Sequence, residues 1–426
     1  PDMLSVEEAR DRILAMFQPL NSEYVDLLDA LGQVLDEDIV SDIKIPPLAN
    51  SAMDGYAVQH SDIATVGTET PVTLNVEGYI AAGQLPDRPV TKGNAIRIMT
   101  GAPIPPGANT VIPFEDTSEY ELKNVGMSPM DIDKVDIKVA SPMGSNVRPA
   151  GQDIKIGEKV LSRGVVLRPG EIGVIASLGR NKVKVIRRPS IAVLATGDEL
   201  IEPGNPPIEG RIFDSNSYGV CASVIKYGGL PKFLGIAQDN LGSMNSKIEE
   251  GFNADMILTS AGVSKGDYDI VKDVLVSRGE IDFWSVRMRP AKPLAFGVLF
   301  SDDGKKIPHI GLPGNPVSAL VAFEELVRPA ILKMMGYKEL DKPTVKAILE
   351  DDIVNTDGRR VYARAIITNK DGKYYASLTG NQGSNVLTSM VRANGLAICP
   401  EDVECMKAGQ EVEVQMLDWA DGGYSR

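Results

Sequence analysis

The sequence predicts a multidomain α/β plus β protein. It should hold a doubly wound, mostly parallel α/β domain, an inserted β-rich domain and a small C-terminal antiparallel barrel or sandwich. Three observations lead there. Residues 190–335 alternate short apolar runs with amphipathic stretches. Residues 46–147 and 343–420 are strand-rich and broken by Gly, Pro and Asn. The chain has 426 residues, a length that corresponds to roughly three domains.

The elements follow in order. Ser5-Val6-Glu7-Glu8, then Ala9, Ile13 and Leu14, reads as a capping box opening an amphipathic helix rather than as a signal peptide. Strand signals at 72–76, 96–99 and 135–139 lie between Pro46-Pro47 and Ser141-Pro142-Met143-Gly144, the edges of the inserted module. Within it, 50–57 and 99–108 read as loops of small residues, Gly and Pro, which alone are ordinary turn chemistry. Ile191-Ala192-Val193-Leu194 and Met256-Ile257-Leu258-Thr259 are apolar throughout or nearly so, as strands buried on both faces are. Phe233-Leu234-Gly235-Ile236 is a further strand. Between them run a helix from Ser215, closed by Gly228-Gly229, and a polar helix to about Asn253. A helix over 269–278 precedes apolar runs at 281–288 and 294–300. This βαβα order predicts a parallel sheet with ligands at the carboxyl ends of its strands. Residues 343–420, with turns at Asp357-Gly358 and Asp371-Gly372, predict a small antiparallel barrel or sandwich.

Composition excludes several functions. A formal net charge of -14 argues against a nucleic-acid groove as the main function. No window approaches about 18 consecutive apolar residues, so no membrane span is expected. Three cysteines without a CxxC fit a reducing cytosol and argue against a disulfide framework or cysteine-rich zinc site. Only His60 and His309 exist, and His309 lies in an apolar run that assigns it to the core. Ser-His-Asp catalysis and histidine-rich metal binding are therefore weak readings. Carboxylates with Mg2+ are the expected chemistry. Neither GxxxxGK[ST] nor a GxGxxG opening the first α/β helix is present, which disfavours an ordinary P-loop NTPase or Rossmann dehydrogenase.

The candidate site assembles from strand ends. Residues 311–320, Gly-Leu-Pro-Gly-Asn-Pro-Val-Ser-Ala-Leu, form a rigid strand-to-helix turn able to present backbone N–H groups to an anion. Thr196-Gly197-Asp198-Glu199, Asp239 and the run 262–269 place acids after three other strands. Each acid alone reads equally as a helix cap. Together on one rim they repel one another unless a cation intervenes. Residues 287–293 carry Arg287, Arg289 and Lys292 on a proline-stiffened turn suited to an oxyanion or phosphate.

Eight segments in this order resemble the molybdopterin molybdenumtransferases, the MoeA family that includes the gephyrin E-domain. They are SAMDGYAV (51–58), RIMTGAPIPPGAN (97–109), VRPAGQDI (147–154), ATGDEL (195–200), AGVSKGDYD (261–269), RPAKP (289–293), LPGNPVSA (312–319) and TGNQGS (379–384). The resemblance implies an L-shaped cytoplasmic homodimer of four-domain subunits with the active site at the dimer interface. The domains would be a linking domain over 17–45 and 148–169, an inserted β-domain over 46–147, an α/β domain over 1–16 and 170–335, and a barrel over 336–426. It implies insertion of molybdenum into molybdopterin, with adenylylated molybdopterin and molybdate as substrates and Mg2+-dependent release of AMP. A transient contact with the molybdopterin adenylyltransferase is expected; nucleic acid and membrane are not.

Carried over by motif, Asp54 and Thr100 match functional positions of the inserted domain. Glu199, Asp239 and Asp269 match the acidic, metal-holding positions. Arg289 and Lys292 match the basic pair; Pro313, Pro316 and Ser318 the proline turn; Ser384 a barrel loop; and Asp153 the acid of the VRPxGxD segment. The chain departs from the usual Lys-Pro-Gly-Lys-Pro in carrying Arg289 and Ala291, which opens tungstate as an alternative anion. A non-catalytic pterin-binding scaffold is disfavoured by the retained acids. The adenylyltransferase itself is disfavoured by the extra domains and by the loops at 51–58 and 312–319.

Overall fold

The computed structural model describes residues 3–67, 69–124, 126–238, 240–260 and 270–418. The chain divides into two compact units, Pro1–Val25 with Asp29–Asp36 and Val183–Arg426, and Asp26–Leu28 with Glu37–Lys182.

The larger unit is built on a six-stranded sheet. Leu230–Ala237, Ser190–Thr196, Met256–Ser260 and Lys306–Leu312 lie side by side in parallel. Pro293–Phe300 and Gly279–Ser285 extend the sheet as an antiparallel hairpin. The alternation of apolar residues explains the double winding. Ile191 and Val193 face one core with Val220, Val224 and the 317–335 helical run. Ala192 and Leu194 face a second core with Met244, Ile248, Val274 and Leu275. Both faces are covered, so the strands read as continuous apolar runs. The N-terminal helix Val6–Ala15 has the expected capping box, Ser5 with Glu8, and buries Val6, Ala9 and Ile13 in the first core.

The C-terminal strands close into a barrel. Arg360–Lys370, Lys373–Leu378, Thr344–Leu349, Glu411–Met416 and Gly395–Cys399 follow in order, and the last pairs back onto the first. One pairing differs from the antiparallel expectation: Thr344–Leu349 runs parallel to Lys373–Leu378. These two strands are not joined by a turn, because the 360–370 strand intervenes, so no hairpin fixes their direction.

The smaller unit carries a five-stranded sheet in the order Thr110–Pro113, Gly55–Val58, Asn94–Ile98, Val72–Ile80, Lys134–Ile137. Here the expected loop at 50–57 is corrected: Gly55–Val58 is a central, buried strand. Gly55 explains why. A Cβ at that position would collide with the carbonyl oxygen of Ile112 on the neighbouring strand, so the residue that looked like a loop glycine permits close strand approach.

Candidate active site

A cleft of about 900 Å³ opens at the carboxyl ends of the parallel strands. Thr196 ends the 190–196 strand and Glu199 follows it, Ser260 ends the 256–260 strand, and Pro313 to Ser318 follow the 306–312 strand. Arg289 and Lys292 form a second wall, and Ser384 enters from the barrel. The structure thus brings Glu199, Arg289, Lys292, Pro313, Pro316, Ser318 and Ser384 around one cleft. Asp239 and Asp269 lie outside the described residues. Among the described residues no three His, Cys, Asp or Glu side chains converge as a metal group.

The proline turn is held from several sides. The Asn216 side-chain amide donates to the Gly314 carbonyl at 2.7 Å and to the Ser260 hydroxyl at 2.8 Å. The Val317 N–H donates to the Ser384 carbonyl at 3.1 Å, which joins the turn to the barrel loop. That bond narrows the expectation that the whole helix start is open to an anion, since one of its N–H groups already has a partner. Pro316 occupies the first helical turn, where its missing N–H costs nothing.

The basic turn is anchored by the barrel. Met288–Arg289 pairs with Arg360–Val361, and Val286 donates to the Lys292 carbonyl at 2.8 Å. Ala291 adopts φ +79°, a left-handed conformation that glycine takes without strain and alanine does not. The departure seen in the sequence therefore falls on a strained backbone position. Arg289, Lys292 and Arg359 line the cleft, while Arg359 bonds the Met288 carbonyl and Asp357. The hydrogen bond from Arg359 holds the Asp357 carboxyl below its usual range, with Arg289 adding to the effect. Beneath Gly383, Arg364 is buried and bonds the Tyr362 and Gly383 carbonyls and the Ser389 hydroxyl. Burial, together with the nearby Arg289 charge, pushes the Arg364 pKa down to about 10.

Two acids line the same cleft, Glu199 and Asp214. Asp214 is 1% exposed; Oδ1 accepts from the Ser217 N–H at 3.0 Å, and Oδ2 has no partner among the described residues. The sequence reading missed Asn216, Asp214, Arg359 and Arg364. Asn216 and Asp214 stand in a polar run, Asp214-Ser215-Asn216-Ser217, at a helix start, the one available signal. His309 occupies the core as expected: its Nε2 hydrogen-bonds the Thr259 hydroxyl at 2.9 Å, and burial pushes its pKa down to about 3.

In the smaller unit, Asp54 Oδ1 accepts from both the N–H and the hydroxyl of Thr100, each at 2.7 Å. These bonds, the backbone one first, hold the Asp54 carboxyl below its usual range. Asp153 is exposed in a bend, its N–H donating to the Ile45 carbonyl, and no hydrogen bond joins it to Asp54 or Thr100 among the described residues.

A doubly wound sheet with a cation-walled cleft at its strand ends, joined to a closed barrel, defines an α/β protein built to hold an anionic ligand. Comparison with known proteins gives the particular family. The MoeA N-terminal region (domain I and II) matches residues 4–179, a probable molybdopterin-binding domain matches 192–333, and the MoeA C-terminal region (domain IV) matches 346–417. The chain is 35% identical to a molybdopterin molybdenumtransferase of Haemophilus influenzae, covering 97% of this chain and 98% of that protein. It is 35% identical to molybdopterin molybdenumtransferase 2 of Mycobacterium tuberculosis, covering 97% and 99%. Its structure is similar to that of a molybdopterin biosynthesis moeA protein of Pyrococcus horikoshii, with TM-score 0.76, 30% identity, and 97% and 100% of the chains covered. The chain belongs to the molybdopterin molybdenumtransferase family and is an enzyme of the transferase class.

Proposed function

We propose that the protein inserts molybdenum into molybdopterin during molybdenum cofactor biosynthesis, taking adenylylated molybdopterin and molybdate and releasing AMP. The observation that carries this reading is the convergence of Glu199, Arg289, Lys292, the proline turn and Ser384 on one cleft. Its cations suit the charge of molybdate and of the pterin phosphate. Arg289 offers a planar fork and Lys292 a compact charge, so the two constrain an oxyanion differently.

Mg2+ fits the donor chemistry. Glu199 gives the cleft a hard carboxylate oxygen, and the buried Oδ2 of Asp214, which lines the same cleft, is an acceptor without a partner among the described residues. Glu199 would hold the ion with Asp239 and Asp269, which follow neighbouring strands in sequence. When bound, the ion neutralises charge on the phosphoanhydride as its P–O bond breaks. Arg289 and Lys292 hold the oxyanion, and the 313–318 turn shapes the wall against it. Asp54 and Thr100 complete the site from a second subunit of a homodimer. Asp153, in the VRPAGQDI segment, is assigned to substrate or anion binding. The adenylyltransferase hands over the substrate, in the cytoplasm.

The test is AMP release from bound adenylylated molybdopterin with Mg2+ and either molybdate or tungstate. Wild type releases AMP with its own oxyanion, and Glu199→Ala and Asp269→Ala release it at least about 100-fold more slowly. Unchanged release in both variants removes the metal assignment. Absence of release from wild type with either anion removes the function and favours the pterin-binding scaffold. Equal stimulation by tungstate identifies an enzyme without anion preference.

A further inference from the structure

The smaller unit buries an ion pair directly under the Asp54–Thr100 pair. Arg97 and Glu119 side chains are 4% and 1% exposed. The guanidinium grips the carboxylate with two bonds, Nε to Oε2 at 2.6 Å and Nη2 to Oε1 at 2.8 Å. The Tyr56 hydroxyl adds a third at 2.6 Å. Two aromatic rings flank the guanidinium, Tyr56 at 5.5 Å and Phe114 at 5.7 Å.

A buried pair of this kind is weak evidence of a contribution to stability, since desolvation offsets the attraction and apolar residues of similar volume often serve as well. Its remaining bonds show what else it does. Nη1 donates to the Gly55 carbonyl at 3.3 Å and to the Ile98 carbonyl at 2.9 Å. Gly55 and Ile98 are register partners on adjacent antiparallel strands. Asp54 immediately precedes Gly55, and Thr100 follows Ile98 by two residues. One guanidinium group therefore straddles the two strand ends that carry the acid and its donor. Asp54 is further tied down by its carbonyl, which accepts from the Phe114 N–H at 3.1 Å.

We infer that Arg97, braced by Glu119 and Tyr56, is a positioning residue that fixes the spacing and orientation of the Asp54–Thr100 pair. The inference rests on the proposed role of Asp54 in the reaction. Arg97 acts through geometry and, secondarily, through charge. The groups facing Asp54 are the N–H and hydroxyl of Thr100, then Arg97 and Lys123, all of which favour its ionised form. Lysine could not replace the fork, since one ammonium cannot reach two carbonyls and grip both carboxylate oxygens.

The test uses the full chain in three forms: Arg97→Lys, the apolar replacement Arg97→Met/Glu119→Leu/Tyr56→Phe, and Asp54→Ala. The readouts are thermal unfolding, kcat and KM for AMP release, and the Asp54 carboxyl pKa from 13C-aspartate NMR. Expected results are cooperative unfolding of both Arg97 variants and kcat lowered at least about tenfold in each. KM for molybdate should change less than about twofold, because molybdate binds in the larger unit. The Asp54 carboxyl should titrate higher in the apolar replacement, and closer to wild type in Arg97→Lys. A folded Arg97→Lys variant with wild-type kcat overturns the inference, as does a folded apolar replacement with wild-type kcat and Asp54 pKa. If Asp54→Ala releases AMP normally, the role given to Asp54 is wrong. The Asp54 titration in the Arg97 variants still decides whether Arg97 positions it.

Discussion

Glu325 carries a carboxyl buried in the 323–327 segment, where Gln415 is its hydrogen-bond partner. Burial pushes its pKa up to about 7, with the Gln415 bond and the Lys342 charge opposing and the Glu324 charge adding. A raised folded-state pKa means the folded protein binds the proton more tightly than the unfolded chain. The stability this contributes is complete below the unfolded value near pH 4.5 and is lost as pH rises through about 7. His309 has the opposite sign: its contribution is complete above its unfolded value near 6.5 and is lost as pH falls towards about 3. Glu325→Gln should therefore become more stable relative to wild type by on the order of 2 kcal/mol between pH 5 and pH 8. Denaturant unfolding of both proteins at the two pH values checks this. A constant difference would show that Glu325 is ionised in the folded protein throughout. At this scale the sequence was uneven. His309 was legible because an apolar run surrounds it. Arg364 was not, because a cation inside a strand pattern shows nothing of the carbonyls that will cap it.

Among the elements, local signals and tertiary contacts divide the site between them. The strand ends holding Glu199 and the proline turn could be read from apolar runs that stop at Gly, Pro and acids. The role of Asn216 could not, since its partner Gly314 is 98 residues away. The same reason hid the strand at 55–58, whose glycine reads as loop until Ile112 is seen beside it. Asn216 clamps the end of one strand to the turn after another, using both amide hydrogens. Asn216→Asp keeps the shape, removes both donors and sets an oxygen against the Gly314 carbonyl. It should lower kcat/KM for AMP release at least about tenfold, no less than Asn216→Ala does. Steady-state kinetics of the two variants check this, and a wild-type Asn216→Asp would show that the clamp is dispensable.

For the molecule as a whole, the alternation of runs in 190–335 predicted a doubly wound, mostly parallel sheet, and the turns in 343–420 a small β structure; the order of the strands within the sheet came only with the structure. Barrel closure was beyond local pattern, because it depends on the pairing of Gly395–Cys399 with Arg360–Lys370 across the chain. The eight motifs identified the family before the fold was known, since their order and spacing record a shared ancestor rather than local propensity. They left open which groups hold the anion and how.

That question has a direct measurement: the equilibrium affinity of the protein for molybdate and for tungstate, in wild type, Arg289→Ala and Lys292→Ala. If the cleft at the strand ends is the anion site, wild type binds at least one of the two, and each substitution weakens that binding at least about tenfold. Equal affinity in all three proteins would contradict the account and place the anion elsewhere.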